Sequence, residues 1–422
     1  MSTAIITPHS LSGTITAPPS KSETHRAIIC ALLSRGVCEI YPIDLSNDII
    51  ATINAAKALG AKVQMLNKHL IIDSSERFMN YVDINCFDSA STLRFFIPVC
   101  AALGIQAAFT GSTALSKRPI APHLSYLPSH GIRYSYSGDF PLSFVGKLSP
   151  GSFTLPGNIS SQFVSGLLMA LPLLNAKSEI IISSPLESSS YVNMTIATME
   201  KFGIKVARVS NKFIVEGNQK YKPHNYTVEG DWSQAAVFMA AGAIKEPVKI
   251  LGLSKDSVQG DKAMCSFLSR MGSEVKFIDG GIEVIPSALS GINIYAGQTP
   301  DIVPILSVLA AFAEGSTRIW GASRLKIKES NRLRSMFYGL KKLGVTVHEI
   351  DDGLLIEGNP SLTPAKLDGY NDHRIVMALA IAACYAPGKV LINDAQSISK
   401  SYPAFFDDYT KLGGIVNVVN MG

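Results

Sequence analysis

Leu59-Gly60-Ala61-Lys62-Val63 decides the fold, because the phrase recurs along the chain. Variants stand at His130-Gly131-Ile132-Arg133-Tyr134, Phe202-Gly203-Ile204-Lys205-Val206 and Met271-Gly272-Ser273-Glu274-Val275. Two more stand at Leu343-Gly344-Val345-Thr346-Val347 and Leu412-Gly413-Gly414-Ile415-Val416. The steps between successive glycines are 71, 72, 69, 72 and 69 residues. Self-similarity at a fixed period marks a chain built from repeated supersecondary units. Each glycine follows apolar residues three or four apart, as in Val192, Ile196, Met199, Phe202 or Leu333, Phe337, Leu340, Leu343. That is helix periodicity. Glycine supplies the left-handed residue that ends a helix, and the strand-forming residues after it open a strand. Each unit is predicted to hold a helix, a glycine stop and a strand.

A second series runs out of phase with the first. Arg26, Arg94, Gln162, Ser233, Asp301 and Arg374 are separated by 68, 68, 71, 68 and 73 residues. Each precedes a helix-compatible apolar run, such as 27–33, 95–103 or 375–383. Two helices among several strands predict an α/β unit of βαβαββ type. The order of strands within a unit does not follow from spacing. Six units can close one ring or form two groups of three. The 422 residues suggest two to four domains at ~100–200 residues each. Single cores stop growing near ~250–300 residues, which favours two domains. A helix start carries unpaired N–H groups and partial positive charge, so it attracts anions. If equivalent units present these starts on one side, two domains face each other across an anion-attracting cleft. N-capping and solvated first-turn charge account for any one of these residues taken singly.

Composition excludes several classes. Charged residues make up 17% and hydrophobic residues 47%, with 38 Lys plus Arg against 33 Asp plus Glu and a net charge of +5. A disordered chain would be richer in charge and poorer in apolar residues, and a coiled coil needs dense flanking charge. Basic clusters that would mark nucleic-acid binding are missing. The longest apolar stretch, 375–386, has 12 residues, short of the ~18 a membrane span needs. The N-terminus lacks a basic segment followed by an apolar one, so no signal peptide is expected. Cys30, Cys38, Cys86, Cys100, Cys265 and Cys384 form no CxxC pair, and reduced thiols suit a cytoplasmic location. The histidines are dispersed and HExxH is absent, so no metal site is expected. Neither GxxxxGK[ST] nor GxGxxG appears, so nucleotide cradling is unsupported.

Polar constellations sit at the helix starts. Pro18-Pro19-Ser20-Lys21-Ser22-Glu23-Thr24-His25-Arg26 sets an extended entry and then clusters hydroxyls and cations, as a phosphate or carboxylate site requires. Asp88-Ser89-Ala90-Ser91-Thr92-Leu93-Arg94 offers small residues and hydroxyls, and equally an ordinary turn. Arg118 precedes Pro119, which holds it in extended backbone; a surface charge accounts for it as well. Ser160-Ser161-Gln162 opens the apolar run 163–174 and can bind a phosphate or cap the helix. In Lys326-Ile327-Lys328-Glu329-Ser330-Asn331-Arg332 one acid among three cations can move a proton or form a salt bridge within a helix. Arg374, in Asn371-Asp372-His373-Arg374, enters the most apolar helix, which is costly unless it is paired or serves a ligand. Lys400-Ser401-Tyr402-Pro403 follows, and Asp301 is a lone carboxylate at another helix start, where capping is its simplest role. Together these residues describe an enzyme for a substrate bearing phosphate and carboxylate groups.

Proline-Ser20-Lys21-Ser22 with Arg26, the segment ending Ser91-Thr92-Leu93-Arg94, Lys117-Arg118-Pro119-Ile120, Ser160-Ser161-Gln162, Gln259-Gly260-Asp261, Lys328-Glu329-Ser330 with Arg332, Asn371-Asp372-His373-Arg374 and Lys400-Ser401-Tyr402-Pro403 resemble the 5-enolpyruvylshikimate-3-phosphate synthases. The match is collinear from about residue 12 to residue 406. The resemblance implies a two-domain inside-out α/β barrel of six βαβαββ units, three per domain, with an open-to-closed motion. It places residues 17–228 in an inserted domain, mainly on the shikimate 3-phosphate side. Residues 1–16 and 229–422 form the other domain, which completes the phosphoenolpyruvate site. It implies transfer of the enolpyruvyl group of phosphoenolpyruvate to the 5-hydroxyl of shikimate 3-phosphate, with phosphate released through a tetrahedral intermediate. No metal, cofactor, nucleic acid or membrane partner is implied, and a monomer is expected.

Carried over residue by residue, Lys21, Ala90, Arg118, Gln162, Arg332, Arg374 and Lys400 are implied to hold phosphoenolpyruvate. Ser22, Arg26, Ser160, Ser161, Gln162, Ser188, Tyr191, Asp301 and Lys328 are implied for shikimate 3-phosphate. Asp301 is the implied base for the attacking hydroxyl, and Glu329, with Lys21 as its rival, is implied for proton traffic at the methylene carbon. The cations Lys21, Arg26, Arg118, Lys328, Arg332, Arg374 and Lys400 are expected to converge on one cleft, where substrate answers their charge. Three positions depart from the family. Asp88 stands where Asn is frequent, Arg324 where Asn or Glu is frequent, and Ala90 where many members have Gly. The Ala90 methyl would crowd the inhibitor glyphosate, so reduced sensitivity is expected. Two rivals remain. The sister enzyme acting on UDP-N-acetylglucosamine carries a reactive Cys in the region matching 114–119, where this chain has none. A catalytically silent anion-binding homologue would not be expected to keep Lys21, Asp301, Glu329 and Lys400.

Overall fold

Helix starts and glycine stops divide the chain into α/β repeats. The structure, a computed structural model, describes residues 2–358 and 361–420. All six phrase glycines have left-handed φ, from +83° at Gly203 to +106° at Gly60. Each ends a helix or helical turn and is followed by a strand or an extended segment. A side chain there would meet the steric cost that glycine escapes. The helix expected before Gly131 is broken into Thr113–Ser116, Ala121–Leu124 and a 3-10 turn at Pro128–His130. Pro119, Pro122 and Pro128 explain this, since each lacks a backbone N–H and resists helix interiors.

The described strands form six four-stranded sheets with one shared pairing pattern. In one sheet Tyr81–Asn85 runs parallel to Gln106–Thr110, with Val82 opposite Ala107. Gln106–Thr110 pairs antiparallel with Leu142–Gly146, which pairs antiparallel with Ile132–Ser135. The order is therefore first, second, fourth, third; three other sheets repeat it in chain order, and the remaining two keep the same parallel, antiparallel, antiparallel pairing with a strand supplied out of chain order. Three of the six borrow a strand from a distant part of the chain. Gly13–Thr16 runs parallel to Val248–Leu251, with Ile15 opposite Ile250. Tyr226–Thr227 runs parallel to Val37–Tyr41. Ser2–Thr7 lies antiparallel between Val390–Asn393 and Ile415–Asn420.

These borrowed strands follow the division into compact units. One unit is Pro19–Val228, and the other joins Met1–Pro18 to Glu229–Gly422. Each has its own hydrophobic core. In the 19–228 unit the buried helices are Lys21–Leu33, Ala90–Leu103 and Ser161–Ala170. Gly166 lets two of them approach: a Cβ there would lie 2.4 Å from the Arg94 carbonyl oxygen. In the other unit Trp232–Ile244, Val303–Ala311 and His373–Ala383 are buried on nearly every face. A helix apolar all round belongs in a core, and each fully buried Leu or Ile contributes roughly 1.5–3 kcal/mol. No helix among the described residues is long and apolar enough to cross a membrane. Five of the cysteines are buried thiols and Cys265 is half-buried.

Candidate active site

The expected site residues gather at helix starts in both units. In the 19–228 unit Ser20 caps helix Lys21–Leu33 by accepting from the Glu23 N–H at 3.4 Å. This puts Lys21 at the first helical position, where its Nζ meets Asp48 Oδ2 at 2.7 Å. Asp48 sits in the first turn of helix Asn47–Ala58. Arg26 lies one turn deeper and is 2% exposed. It donates to Thr195 Oγ1 (2.7 Å), the Ser22 carbonyl (2.7 Å), Ser165 Oγ (3.3 Å) and the Tyr191 carbonyl (3.1 Å). Four of its five N–H groups are thus spent on protein. Burial pulls the guanidinium down to about 10, which nearby Tyr191 and Glu23 only partly oppose.

A second cluster surrounds Gln162. Its Oε1 accepts from Arg94 Nη1 at 2.8 Å, and its Nε2 donates to Ser91 Oγ at 2.8 Å. Arg94 also donates to the Pro119 carbonyl at 2.8 Å, beside Arg118, and lies over the Phe163 ring. Ser160 caps helix Ser161–Ala170 by accepting from the Gln162 N–H at 3.3 Å. Ala90 is the buried first residue of its helix, capped by Ser89. The Asp88 carboxylate, one residue earlier, accepts a short hydrogen bond from the Ser112 hydroxyl. Ser188 has left-handed φ of 53° ahead of helix Ser189–Lys201, which carries the half-buried Tyr191.

In the other unit the sites assemble around Arg332. Its Nη1 meets Asp301 Oδ1 at 2.9 Å, its Nη2 meets Glu329 Oε2 at 2.7 Å, and its Nε meets Asp372 Oδ2 at 2.9 Å. Lys328 Nζ joins at 3.3 Å from Asp301 Oδ1. Of the three cations in 326–332, Lys326 stays out: it is exposed and bonds the Asp351 carbonyl. Glu329 precedes helix Arg332–Lys342, so its pair with Arg332 is not within a helix. Asp301 is no cap either. It lies in the 3-10 turn Pro300–Ile302, and the following helix has no side-chain cap. Burial raises the Asp301 carboxyl, but Lys328, Arg332 and Arg374 more than reverse this and hold it well below the usual range. Burial lowers the Lys328 ammonium, opposed by Asp301. Burial also opposes the Arg332 charge, but Asp372, Glu329 and Asp301 outweigh it and raise its pKa.

Asp372 is the hinge of this cluster. It is fully buried, accepts from Ser330 Oγ at 3.0 Å, and caps helix His373–Ala383 through the Arg374 N–H at 2.9 Å. Arg374 in turn donates from Nη1 to the Ser233 carbonyl at 2.8 Å. The Ser233 hydroxyl makes a short hydrogen bond to Asp261. Burial and then the Asp301 charge raise the Asp261 carboxyl, with Ser233 opposing. Lys400 Nζ donates to the Asn371 carbonyl at 2.9 Å. Arg324, buried, donates to the Gly297 carbonyl at 2.7 Å. Lys21 is therefore answered by Asp48 and Arg332 by three carboxylates, each pair within one unit. An ordered buried cation needs such partners. Asp48 and Asp372 are cation partners to which the sequence alone assigned no role. Each lies in the cap region of a helix, Asp48 two residues after a Ser, which is the signal that could have found them.

The sequence model of EPSP synthase (3-phosphoshikimate 1-carboxyvinyltransferase) matches residues 5–409. The chain belongs to the EPSP synthase family. A relative named 3-phosphoshikimate 1-carboxyvinyltransferase from Clostridium perfringens is 42% identical over 421 residues, covering 99% of each chain. One of the same name from Clostridioides difficile is 43% identical, again covering 99% of each. An EPSP synthase structure from Acinetobacter baumannii superposes with TM-score 0.84 at 24% identity, covering both chains fully. The enolpyruvyl transferase NikO from Streptomyces tendae gives TM-score 0.81 at 17% identity, covering 100% of this chain and 99% of that one. These last two likenesses speak for the fold alone, a mixed α/β architecture.

Proposed function

We propose that the chain transfers the enolpyruvyl group of phosphoenolpyruvate to the 5-hydroxyl of shikimate 3-phosphate and releases inorganic phosphate. The observation that carries the reading is the cluster at Asp301. It is a carboxylate that caps no helix and is held ionised by Lys328 and Arg332, with Glu329 on the same arginine. Family membership supplies the substrates. The 5-hydroxyl oxygen bonds to C2 of phosphoenolpyruvate while C3 gains a proton, giving a tetrahedral intermediate. The C2–O bond to phosphate then breaks and C3 loses a proton.

Asp301 takes the hydroxyl proton. The low pKa that Lys328 and Arg332 impose keeps it ionised; substrate anions that engage those cations loosen their hold and raise its basicity. Glu329 serves the proton at C3, with Lys21 as the second candidate. Lys21, Arg118, Arg332, Arg374 and Lys400 bind the carboxylate and phosphate of phosphoenolpyruvate, with Ala90 and Gln162 beside it. Ser22, Arg26, Ser160, Ser161, Gln162, Ser188, Tyr191 and Lys328 bind shikimate 3-phosphate. The chain works as a monomer in the cytoplasm, with residues 17–228 mainly on the shikimate 3-phosphate side. Phosphate release assayed with shikimate 3-phosphate and with UDP-N-acetylglucosamine tests this. Turnover with the first alone, lost on the order of a hundredfold or more in Asp301→Ala, is expected. Turnover with the second, or full activity in Asp301→Ala, would overturn it.

A further inference from the structure

Lys21 and His25 stand one turn apart on helix Lys21–Leu33, as Asp48 and Thr52 do on helix Asn47–Ala58. Two rungs join these helices. One is the Lys21–Asp48 ion pair, and the other is His25 Nδ1 at 2.7 Å from Thr52 Oγ1. The second rung continues to a third helix. Thr52 Oγ1 lies 2.8 Å from Thr92 Oγ1, and the Thr92 hydroxyl donates to Ser89 Oγ at 2.8 Å. Ser89 also accepts the Thr92 N–H at 3.2 Å and caps the helix that begins at Ala90. All four residues are buried, at 1% exposure or less.

The proton count fixes the direction of this chain. Thr92 spends its only hydroxyl proton on Ser89, so Thr52 must donate to Thr92. Thr52 then has none left for His25, so the imidazole donates from Nδ1. A neutral imidazole has one N–H, which leaves the lone pair on Nε2. That atom is buried without a hydrogen-bond partner among the described residues. We propose that His25 is a positioning residue for the transfer reaction. As the neutral Nδ1–H tautomer it locks the helix start carrying Lys21 to the helix start carrying Ala90, through Thr52, Thr92 and Ser89.

The surroundings agree with a ring that stays neutral. Burial first, then the Lys21 and Arg26 charges, hold the imidazole well below its ordinary pKa. Asp48, on the neighbouring helix, is paired with Lys21, and helix Ala90–Leu103 offers the ring Phe95, at 6.4 Å and edge-on. A protonated ring would bury a second N–H beside two cations. The chain therefore acts by geometry and not by changing charge.

The role at Lys21 rests on the proposed function, so the test has an arm independent of activity. In the full chain, ring 15N signals of His25 are expected to show the Nδ1–H tautomer with no titration between about pH 5 and 8. An Nε2–H tautomer, or titration in that window, overturns the proposal even if the enzyme proves inactive. In the active enzyme, Thr52→Val removes the middle hydroxyl at constant shape. It is expected to raise KM for phosphoenolpyruvate about tenfold while kcat changes less than about threefold. His25→Asn keeps a donor at the Nδ1 position and is expected to hold KM within about threefold of the parent. An unchanged KM in Thr52→Val, whatever its melting temperature, overturns the proposal. So does a His25→Asn loss as large as that of Thr52→Val.

Discussion

Replacing Asp372 by Ala should unfold the 229–422 region far more readily than an ordinary capping change. Asp372 and Arg332 have side-chain exposures of 0% and 2%. The substitution removes the contacts from Arg332 Nε (2.9 Å) and Nη2 (3.3 Å), the Ser330 hydroxyl bond (3.0 Å) and the cap on Arg374 N (2.9 Å). Removing one partner of a buried ion pair costs roughly 3–5 kcal/mol, because the other charge stays buried. Arg332 keeps Asp301 and Glu329, so the lower end, ~3 kcal/mol, applies. The lost cap adds ~1 kcal/mol. The sum, ~4 kcal/mol, corresponds to a fall of about 8–16 °C in Tm for a unit of this size. Asp372→Asn keeps the shape and one acceptor oxygen, which can serve the Arg374 N–H cap on one side but not the Ser330 hydroxyl on the other, so it should cost less than Asp372→Ala. Calorimetric melting of the full chain reads both. A loss below ~1 kcal/mol in Asp372→Ala would refute the idea that Asp372 holds the Arg332 charge.

Gly166→Ala should lower stability by ~2–3 kcal/mol by thermal unfolding, since its Cβ would press on the Arg94 carbonyl oxygen; a neutral result would mean the two helices separate freely. Asp261 has a raised folded pKa through burial and the Asp301 charge. Its stabilising effect is present below the unfolded value and lost as pH rises through the folded one. The stability of Asp261→Asn relative to the parent should therefore improve from pH ~4 upward and level off above the folded pKa, as measured by urea unfolding across pH. Ala90→Gly should lower the glyphosate inhibition constant, since the Ala90 methyl is expected to crowd that ligand; an unchanged constant would remove the methyl from the argument.

The repeat was legible because local signals carry it. Glycine at Gly60, Gly131, Gly203, Gly272, Gly344 and Gly413 answers a backbone need that each repeat has on its own. Strand order was not legible, because Ser2–Thr7 completes a sheet with Val390–Asn393 and Ile415–Asn420, and no local pattern names so distant a partner. The break before Gly131 was readable in its prolines, but the periodicity of the other repeats masked it. At the candidate site, motifs named the cations but not the side chains that they meet. Arg26 reads as a ligand-binding residue at a helix start, yet Thr195, Ser165 and the Ser22 and Tyr191 carbonyls claim four of its five N–H groups. Asp48 and Asp372 look like ordinary cap-region residues, and only folding brings Lys21 and Arg332 to them. Asp301 ran the other way: capping was its simplest role, and its carboxylate instead faces Lys328 and Arg332.

The central claim is enolpyruvyl transfer to shikimate 3-phosphate, and 31P spectroscopy of the purified chain with both substrates tests it most directly. Equal loss of the phosphoenolpyruvate and shikimate 3-phosphate signals is expected, with inorganic phosphate and one new phosphomonoester appearing in step. Unchanged spectra at substrate saturation, or phosphate released while shikimate 3-phosphate persists, would contradict it.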